Sequence, residues 1–241
     1  MPDTNQSSAE QFSPLAPWCD PEQLKRLANF RQRGQDILGW FKLPATENLL
    51  LPIHVTQYTA HVPGGVCEIG VYAGKSLIPL YLMRRKGDQF AVLDLFERNT
   101  YPSGLKKDPK LKANRARFEK NMRDWCGNLA DLKILQFDSK DLKPDHLVAS
   151  RLVHIDGHHA EDATRQDILT GYAVLNSQGV ILVDDYEATR SWPGVRLAVD
   201  AILAEGITDL KLVHVAFNKA VLAREAIADA VAASLEGKLL R

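Results

Sequence analysis

Two apolar runs in this chain end in carboxylates: Leu152-Val153-His154-Ile155-Asp156-Gly157 and Val180-Ile181-Leu182-Val183-Asp184-Asp185. Short apolar runs bounded by turn residues are the pattern of strands buried on both faces, and the stretch between them holds one helix. A helical crossover makes the two strands near neighbours pointing the same way. Asp156, Asp184 and Asp185 are then predicted to converge at the carboxyl edge of a sheet, where open α/β sheets bind their ligands. Three crowded carboxylates repel one another unless a cation sits among them. That is the chemistry of a metal-assisted enzyme, and hard oxygen ligands favour Mg²⁺ over zinc, with Ca²⁺ or Mn²⁺ able to substitute. His158 and His159 follow directly. Two imidazoles beside a carboxylate cluster are candidates for metal ligands, for a general base, or for the mere start of a helix.

A second locus is Glu68-Ile69-Gly70-Val71-Tyr72-Ala73-Gly74-Lys75-Ser76, at the first strand–helix turn. Glycine there lets the backbone approach a bound molecule, and a helix N-terminus offers unpaired N–H groups. Glu68 occupies the first glycine position of the dinucleotide fingerprint, where a carboxylate repels a pyrophosphate and suits an amino group instead. That argues against NAD. Asp94 ends the next strand, where an acidic group commonly accepts from ribose hydroxyls; it is equally a turn residue, and Glu97 competes for the role. Asp138 and Ser139 follow the third strand, placed either for an adenine amino group or for an Asx turn.

These residues need elements to position them. Residues 1 to about 20 are polar and rich in Ser and Pro, the composition of a mobile tail. A helical pattern opens at Pro21, with Leu24, Leu27, Phe30, Ile37, Leu38 and Phe41 at near-helical spacing, and a short helix is predicted over about 47–61. This extension, 21–62, can cap the site, add to the core or make a dimer contact. From 63 to 241 strands alternate with helices. Strands are predicted at 66–69, 90–95 and 132–137 and at the two opening runs, with helices at about 75–86, 110–126, 160–176 and 195–205. Leu210–Ala216 and Ala220–Ala223 are separated only by Phe217-Asn218-Lys219, which forces a hairpin and hence an antiparallel strand. A closing helix is predicted over 224–238. The fold class is therefore α/β, a doubly wound Rossmann-like sheet with a C-terminal antiparallel hairpin and an N-terminal helical extension.

The 241 residues suffice for one large domain, and 45% hydrophobic residues are ordinary for a full core. Lys+Arg 30 against Asp+Glu 30 leaves a formal net charge of +0, so nothing draws the chain globally to nucleic acid or anionic membrane. The basic stretch Lys106, Lys107, Lys110, Lys112, Arg115 and Arg117 reads as a solvated helix face. Cys19, Cys67 and Cys126 match no zinc or disulfide pattern, and Cys67 reads as a small core residue. No apolar stretch approaches ~20 residues, and the first residues have no basic and apolar regions of a secretory signal. The expected compartment is the cytoplasm.

In order and motif the chain resembles class I S-adenosylmethionine-dependent methyltransferases, and within them the macrocin O-methyltransferase-like group acting on small molecules. The matching pieces are E-I-G-V-Y-A-G-K-S at 68–76, I-D-G-H-H at 155–159, Asp167, G-V-I-L-V-D-D-Y at 179–186 and P-G-V-R-L-A-V-D at 193–200. The resemblance implies that Glu68, Gly70, Tyr72, Gly74 and Ser76 line the methionine end of the cofactor. It places Asp94 on the ribose, Asp138 and Ser139 near the adenine, and Asp156 beside both cofactor and metal. It implies Mg²⁺, or another divalent cation, on Asp156, Asp184 and Asp185. Where sugar-methylating members carry a carboxylate base, this chain has His158, so the base is His158 or His159. Glu161 stands where the family usually carries an aromatic residue. The implied reaction is methylation of a hydroxyl on a small molecule, a sugar moiety or other natural-product-like acceptor, with a chelating vicinal diol as one form. The N-terminal helices, a loop at about 97–109 with Tyr101 and Pro102, and Tyr186 to Trp192 are the segments expected to shape the acceptor site. A non-catalytic cofactor-binding protein, a nicotinamide-dependent dehydrogenase and a metal-dependent hydrolase are the competing readings; oligomeric state stays open.

Overall fold

A computed structural model describes residues 10–98 and 113–237 of the chain. The expected loop at 97–109 and the lysines of the basic stretch fall largely outside the described residues, as do 1–9 of the tail. Residues 10–20 do not behave as a mobile tail: Phe12 and Leu15 are fully buried, and a 3-10 turn at Ser13–Leu15 seats them on the domain. Two aromatic and aliphatic anchors outweigh a polar average.

Helix α1 (Pro21–Arg33) starts at a capping box, in which Asp20 accepts from the Glu22 N–H and Gln23 accepts from the Asp20 N–H. It stops sooner than the apolar spacing suggests. Gly34–Asp36 tightens into a 3-10 turn and Ile37 turns extended, so Ile37, Leu38 and Phe41 lie on an open strap rather than on the helix. A π turn over Thr46–Leu50 leads into α2 (Leu51–Thr59).

The sheet has seven strands in the order β3-β2-β1-β4-β5-β7-β6. They are β1 (Gly65–Ile69), β2 (Phe90–Leu93), β3 (Leu132–Leu135), β4 (Ser150–Ile155), β5 (Leu175–Val183), β6 (Leu210–Ala216) and β7 (Lys219–Arg224). The first five are parallel and β7 runs antiparallel to both β5 and β6. Between them run α3 (Leu77–Leu82), α4 (Arg115–Cys126), α5 (Glu161–Val174) and α6 (Pro193–Glu205), and α7 (Glu225–Leu235) closes the chain. Most expected elements shorten by a few residues at their ends, where chain direction is set by packing.

Strands buried on both faces divide the core into two layers. One joins Val66, Leu152, Val180 and Val221 to the N-terminal segment and to α3, α4 and α7. The other joins Cys67, Val153, Ile181 and Leu222 to α5 and α6. The order of the strands reverses between β1 and β4, which makes their carboxyl ends the topological switch point. Because β7 is antiparallel, its first residue reaches the edge where the parallel strands end.

Candidate active site at the carboxyl edge of the sheet

Asp156 leaves β4 and Asp184 and Asp185 leave β5 at the switch point. Gly70 follows β1 with φ +85°, and a Cβ there would stand 1.9 Å from the Asp156 carbonyl oxygen; only glycine lets the first turn and the first carboxylate come so close. Crevice desolvation, reinforced by Asp184 and then Asp185 and Glu68, holds the Asp156 carboxyl well above the usual carboxylate range, with Lys219 pulling against them. Burial also acts to raise Asp185. Its contacts with His159 and Asn218, helped by the charge of Lys219, outweigh that and leave its pKa below the ordinary value.

The carboxylates are not equivalent. Asp185, in the left-handed region at φ 61°, is tied by a 2.6 Å hydrogen bond from Asn218 Nδ2. Its Oδ2 lies 2.9 Å from His159 Nε2, which is 3.9 Å from Asp156 Oδ1. Ligand atoms of Asp156, His159 and Asp185 all fall within 4.8 Å of one another. Asp184 is not in this trio, although its charge acts on Asp156 more strongly than that of Asp185 does. Its Oδ1 accepts the Asp185 N–H at 2.8 Å and its Oδ2 is paired with the Lys219 ammonium.

Lys219 is a residue that sequence reasoning passed over as part of a turn. The hairpin tip, with Phe217 at φ 55° and Asn218 at φ 67°, has the twist of a two-residue type I′ turn. It is stitched to the end of β5 by Tyr186 N–H to the Asn218 carbonyl at 3.0 Å and by Asn218 N–H to Glu187 at 3.1 Å. Lys219 then starts β7 at the active edge, 2% exposed, with Phe41 of the strap 5.4 Å from its ammonium. His154 was passed over as well. It pairs in register with Glu68 across β1 and β4, its Nδ1 is 2.9 Å from Glu68 Oε1, and its Nε2 faces Asp184 at 4.0 Å. Its spacing of two from Asp156 was the available signal.

At the glycine turn, Ser76 donates to Glu68 Oε1, while the buried Glu68 Oε2 has no partner. An orphaned carboxylate oxygen fits an amino group. Asp94 accepts from the Tyr72 N–H at 2.7 Å and the Phe96 N–H at 2.6 Å, with the Val71 N–H also acting on it, so it braces the turn and keeps only part of its acceptor capacity. Glu97 is exposed and takes the Arg115 N–H at 2.7 Å. Asp138 accepts from Lys140 N–H at 3.1 Å as a turn cap. Behind it lies Asp167, 1% exposed with both oxygens unpartnered; burial pushes it up to about 7, against the pull of Ser139.

The two histidines separate in role. His158 is exposed and its Nδ1 accepts from the Ala160 N–H at 3.1 Å. His159 turns inward with Trp192 stacked on it, centroids 4.4 Å apart at 21°. Gly194, where a Cβ would stand 2.6 Å from the His159 carbonyl, allows that approach. On the other flank the strap is pinned by Lys75 Nζ to the carbonyls of Gln35 at 3.3 Å and Gly39 at 3.2 Å, and Trp40 stacks on Tyr72. Trp40 and Trp192 are exposed by 73% and 46%, so two indoles border the crevice.

Comparison with known proteins places the chain. The model of a family described as "Methyltransferase domain" matches residues 67–186. No curated protein matches the sequence. Among solved structures, the O-methyltransferase NovP is similar over 83% of this chain and 80% of its own, with TM-score 0.61 and 19% identity. CalS11, a calicheamicin methyltransferase, covers 88% of this chain and 96% of its own, with TM-score 0.54 and 16% identity. TomG from Streptomyces achromogenes, an O-methyltransferase involved in tomaymycin synthesis and solved with S-adenosylmethionine, covers 85% and 89%, with TM-score 0.55 and 14% identity. At these identities the likeness is one of fold. Among the described residues no helix is long and apolar enough to cross a membrane.

Proposed function

We infer, for a chain that belongs to the class I S-adenosylmethionine-dependent methyltransferases, that it methylates a hydroxyl oxygen of a small molecule with a divalent cation at the acceptor end. One observation carries the reading: beside the glycine turn, Asp156, Asp184 and Asp185 face Lys219 as their one close ammonium among the described residues. Such a surplus of negative charge fits a cation of charge two, Mg²⁺ or another divalent ion.

When bound, S-adenosylmethionine supplies a methyl group already electrophilic on its sulfonium. A divalent cation supplies positive charge that lowers the pKa of a neighbouring hydroxyl. The chain's own residues position and deprotonate. Glu68, through its unpartnered oxygen, suits the amino group of the cofactor, with Gly70, Tyr72, Gly74 and Ser76 lining that end. Asp94 retains lone pairs for ribose hydroxyls, and Asp138 and Ser139 border the adenine. Asp156, Asp184 and Asp185 form the cation's surroundings, and an imidazole of the His158–His159 pair takes the hydroxyl proton. With the cofactor held there, the acceptor oxygen would take the methyl carbon as the carbon–sulfur bond breaks, the electron pair staying on sulfur. Holding the oxygen in line contributes up to ~7–11 kcal/mol in favourable cases.

CalS11 is described as a TDP-rhamnose 3'-O-methyltransferase. By analogy the acceptor is a sugar moiety or other natural-product-like molecule, one with two neighbouring oxygens suiting a cation best. Residues 186–192 and the strap at 35–41 border its place.

Isothermal titration with S-adenosylhomocysteine, then transfer of labelled methyl to a panel of hydroxylated acceptors, tests the reading. Turnover is expected to vanish with chelator and return with Mg²⁺. Full turnover under chelator removes the cation, and failure to bind S-adenosylhomocysteine removes the reaction.

A further inference from the structure

We propose that the divalent ion is held by Asp156, His159 and Asp185, an imidazole entering the ligand set while Asp184 is retained by Lys219. The inference rests on the preceding reading that a divalent cation binds here. It assigns the ligands differently from the all-carboxylate set that the sequence suggested.

Three observations converge. The first is the state of Asp184: one oxygen takes the Asp185 N–H at 2.8 Å, and the other holds Lys219. Lys219 is 2% exposed, so a metal on Asp184 would compete with a buried ammonium for the same carboxylate. The second is the aim of His159. Its Nε2 is enclosed and stands 2.9 Å from its partner Asp185 and 3.9 Å from Asp156. The ring edge therefore points between two carboxylates. Stacking on Trp192 and the close approach of Gly194 hold the ring in that attitude. The third is charge. Two carboxylates neutralise a doubly charged ion, and Asp184 and Lys219 neutralise each other.

Two consequences follow. A neutral imidazole among the ligands shifts preference away from Mg²⁺ and toward Mn²⁺ and later first-row ions. It also removes His159 from the role of base; His158, whose Nδ1 takes the Ala160 N–H at 3.1 Å, has to give up that bond before it can accept a proton.

The full chain loaded with Mn²⁺ provides the test, read by electron spin echo envelope modulation and by titration of the free-ion signal. Wild-type protein is expected to show modulation from a directly bound nitrogen, with the pattern changing when histidine is labelled with ¹⁵N. His159→Gln should abolish it and weaken Mn²⁺ binding about 10–100-fold, the scale seen even for residues supporting a metal's ligands. His158→Gln should retain it. The double variant Asp184→Asn/Lys219→Met, which removes both charges of the buried pair, should also retain binding and modulation. Bound Mn²⁺ without nitrogen modulation overturns the assignment, as does modulation surviving His159→Gln. Loss of binding in the double variant overturns it too. Wild-type protein that binds no Mn²⁺ at all defeats the cation reading itself. The isotope arm needs no substitution and shows whether a histidine is bound at all; circular dichroism of each variant ensures that binding and its loss are read only from folded protein.

Discussion

β4 carries a polar cluster at each end, and the two are built on opposite terms. At its start the fully buried Arg151 donates to Asp88 at 2.8 Å and to the Tyr58 hydroxyl at 2.6 Å. Arg85 pairs with the same Asp88 at 3.3 Å. Two guanidiniums thus meet one carboxylate, and the surplus positive charge lies over the Tyr58 ring, 4.5 Å away for Arg85 and 4.9 Å for Arg151. An aromatic face attracts a cation, so Tyr58 takes up part of the imbalance while Arg151 Nε and Nη1 stay buried without a hydrogen-bond partner, and the cluster ties α2 to the sheet. At the far end three carboxylates meet Lys219, and the side chains of Asp156 and Asp185 stay 35% and 25% exposed. A cluster that settles its charge internally holds the fold. One that leaves a surplus at an open edge is where we propose that the cation binds.

The comparison breaks if function and stability fail to separate. Asp156→Asn is expected to lower methyl transfer by about 10³-fold, the order of the several kcal/mol a cation contributes. Its melting temperature should hold or rise, because a carboxyl crowded by like charge has gone. A variant that unfolds instead would make the carboxyl end structural. Arg151→Met should do the reverse. It takes from Asp88 one of its cations, at about 3–5 kcal/mol for a broken buried pair, seen as a lower denaturant midpoint, while the rate per folded molecule is unchanged.

Asp167 sharpens the contrast through pH. Its native carboxyl, raised from 3.8 to about 7, holds a proton that the unfolded chain releases. The folded state therefore loses stability as pH rises through that window, by on the order of 4 kcal/mol at most. Asp167→Asn should flatten this slope; denaturant melts at several pH values decide it, and an unchanged slope refutes the role. The smallest effect belongs to Trp192→Ala. Losing a ring contact of about 0.5–1.5 kcal/mol should loosen His159 and weaken Mn²⁺ binding by at most about tenfold. Unchanged affinity would mean that the stack does not aim the ring.

Much of this was legible in the sequence. Unbroken apolar runs ending in carboxylate announced β4 and β5, because a strand buried on both faces leaves its first polar residue at the edge. The spacing of Phe217-Asn218-Lys219 announced the antiparallel strand, because so short a link admits no crossover. The end of α1 was not legible: Ile37, Leu38 and Phe41 keep an apolar rhythm that serves equally for a strap lying on a core. Nor did composition betray the anchors Phe12 and Leu15 in a polar tail.

By itself, then, the sequence determined the alternation of elements, the glycine turn and the set of acidic residues at one edge, since these depend on local periodicity and chain direction. The tertiary structure alone decided which atoms meet. Lys219 finds Asp184 through the pairing of β5 with β7, and His159 rather than His158 faces the carboxylates through the packing of α6 against the turn. Periodicity reports which side of an element is buried. It carries no information on the direction of a side chain in a turn, which neighbouring elements impose.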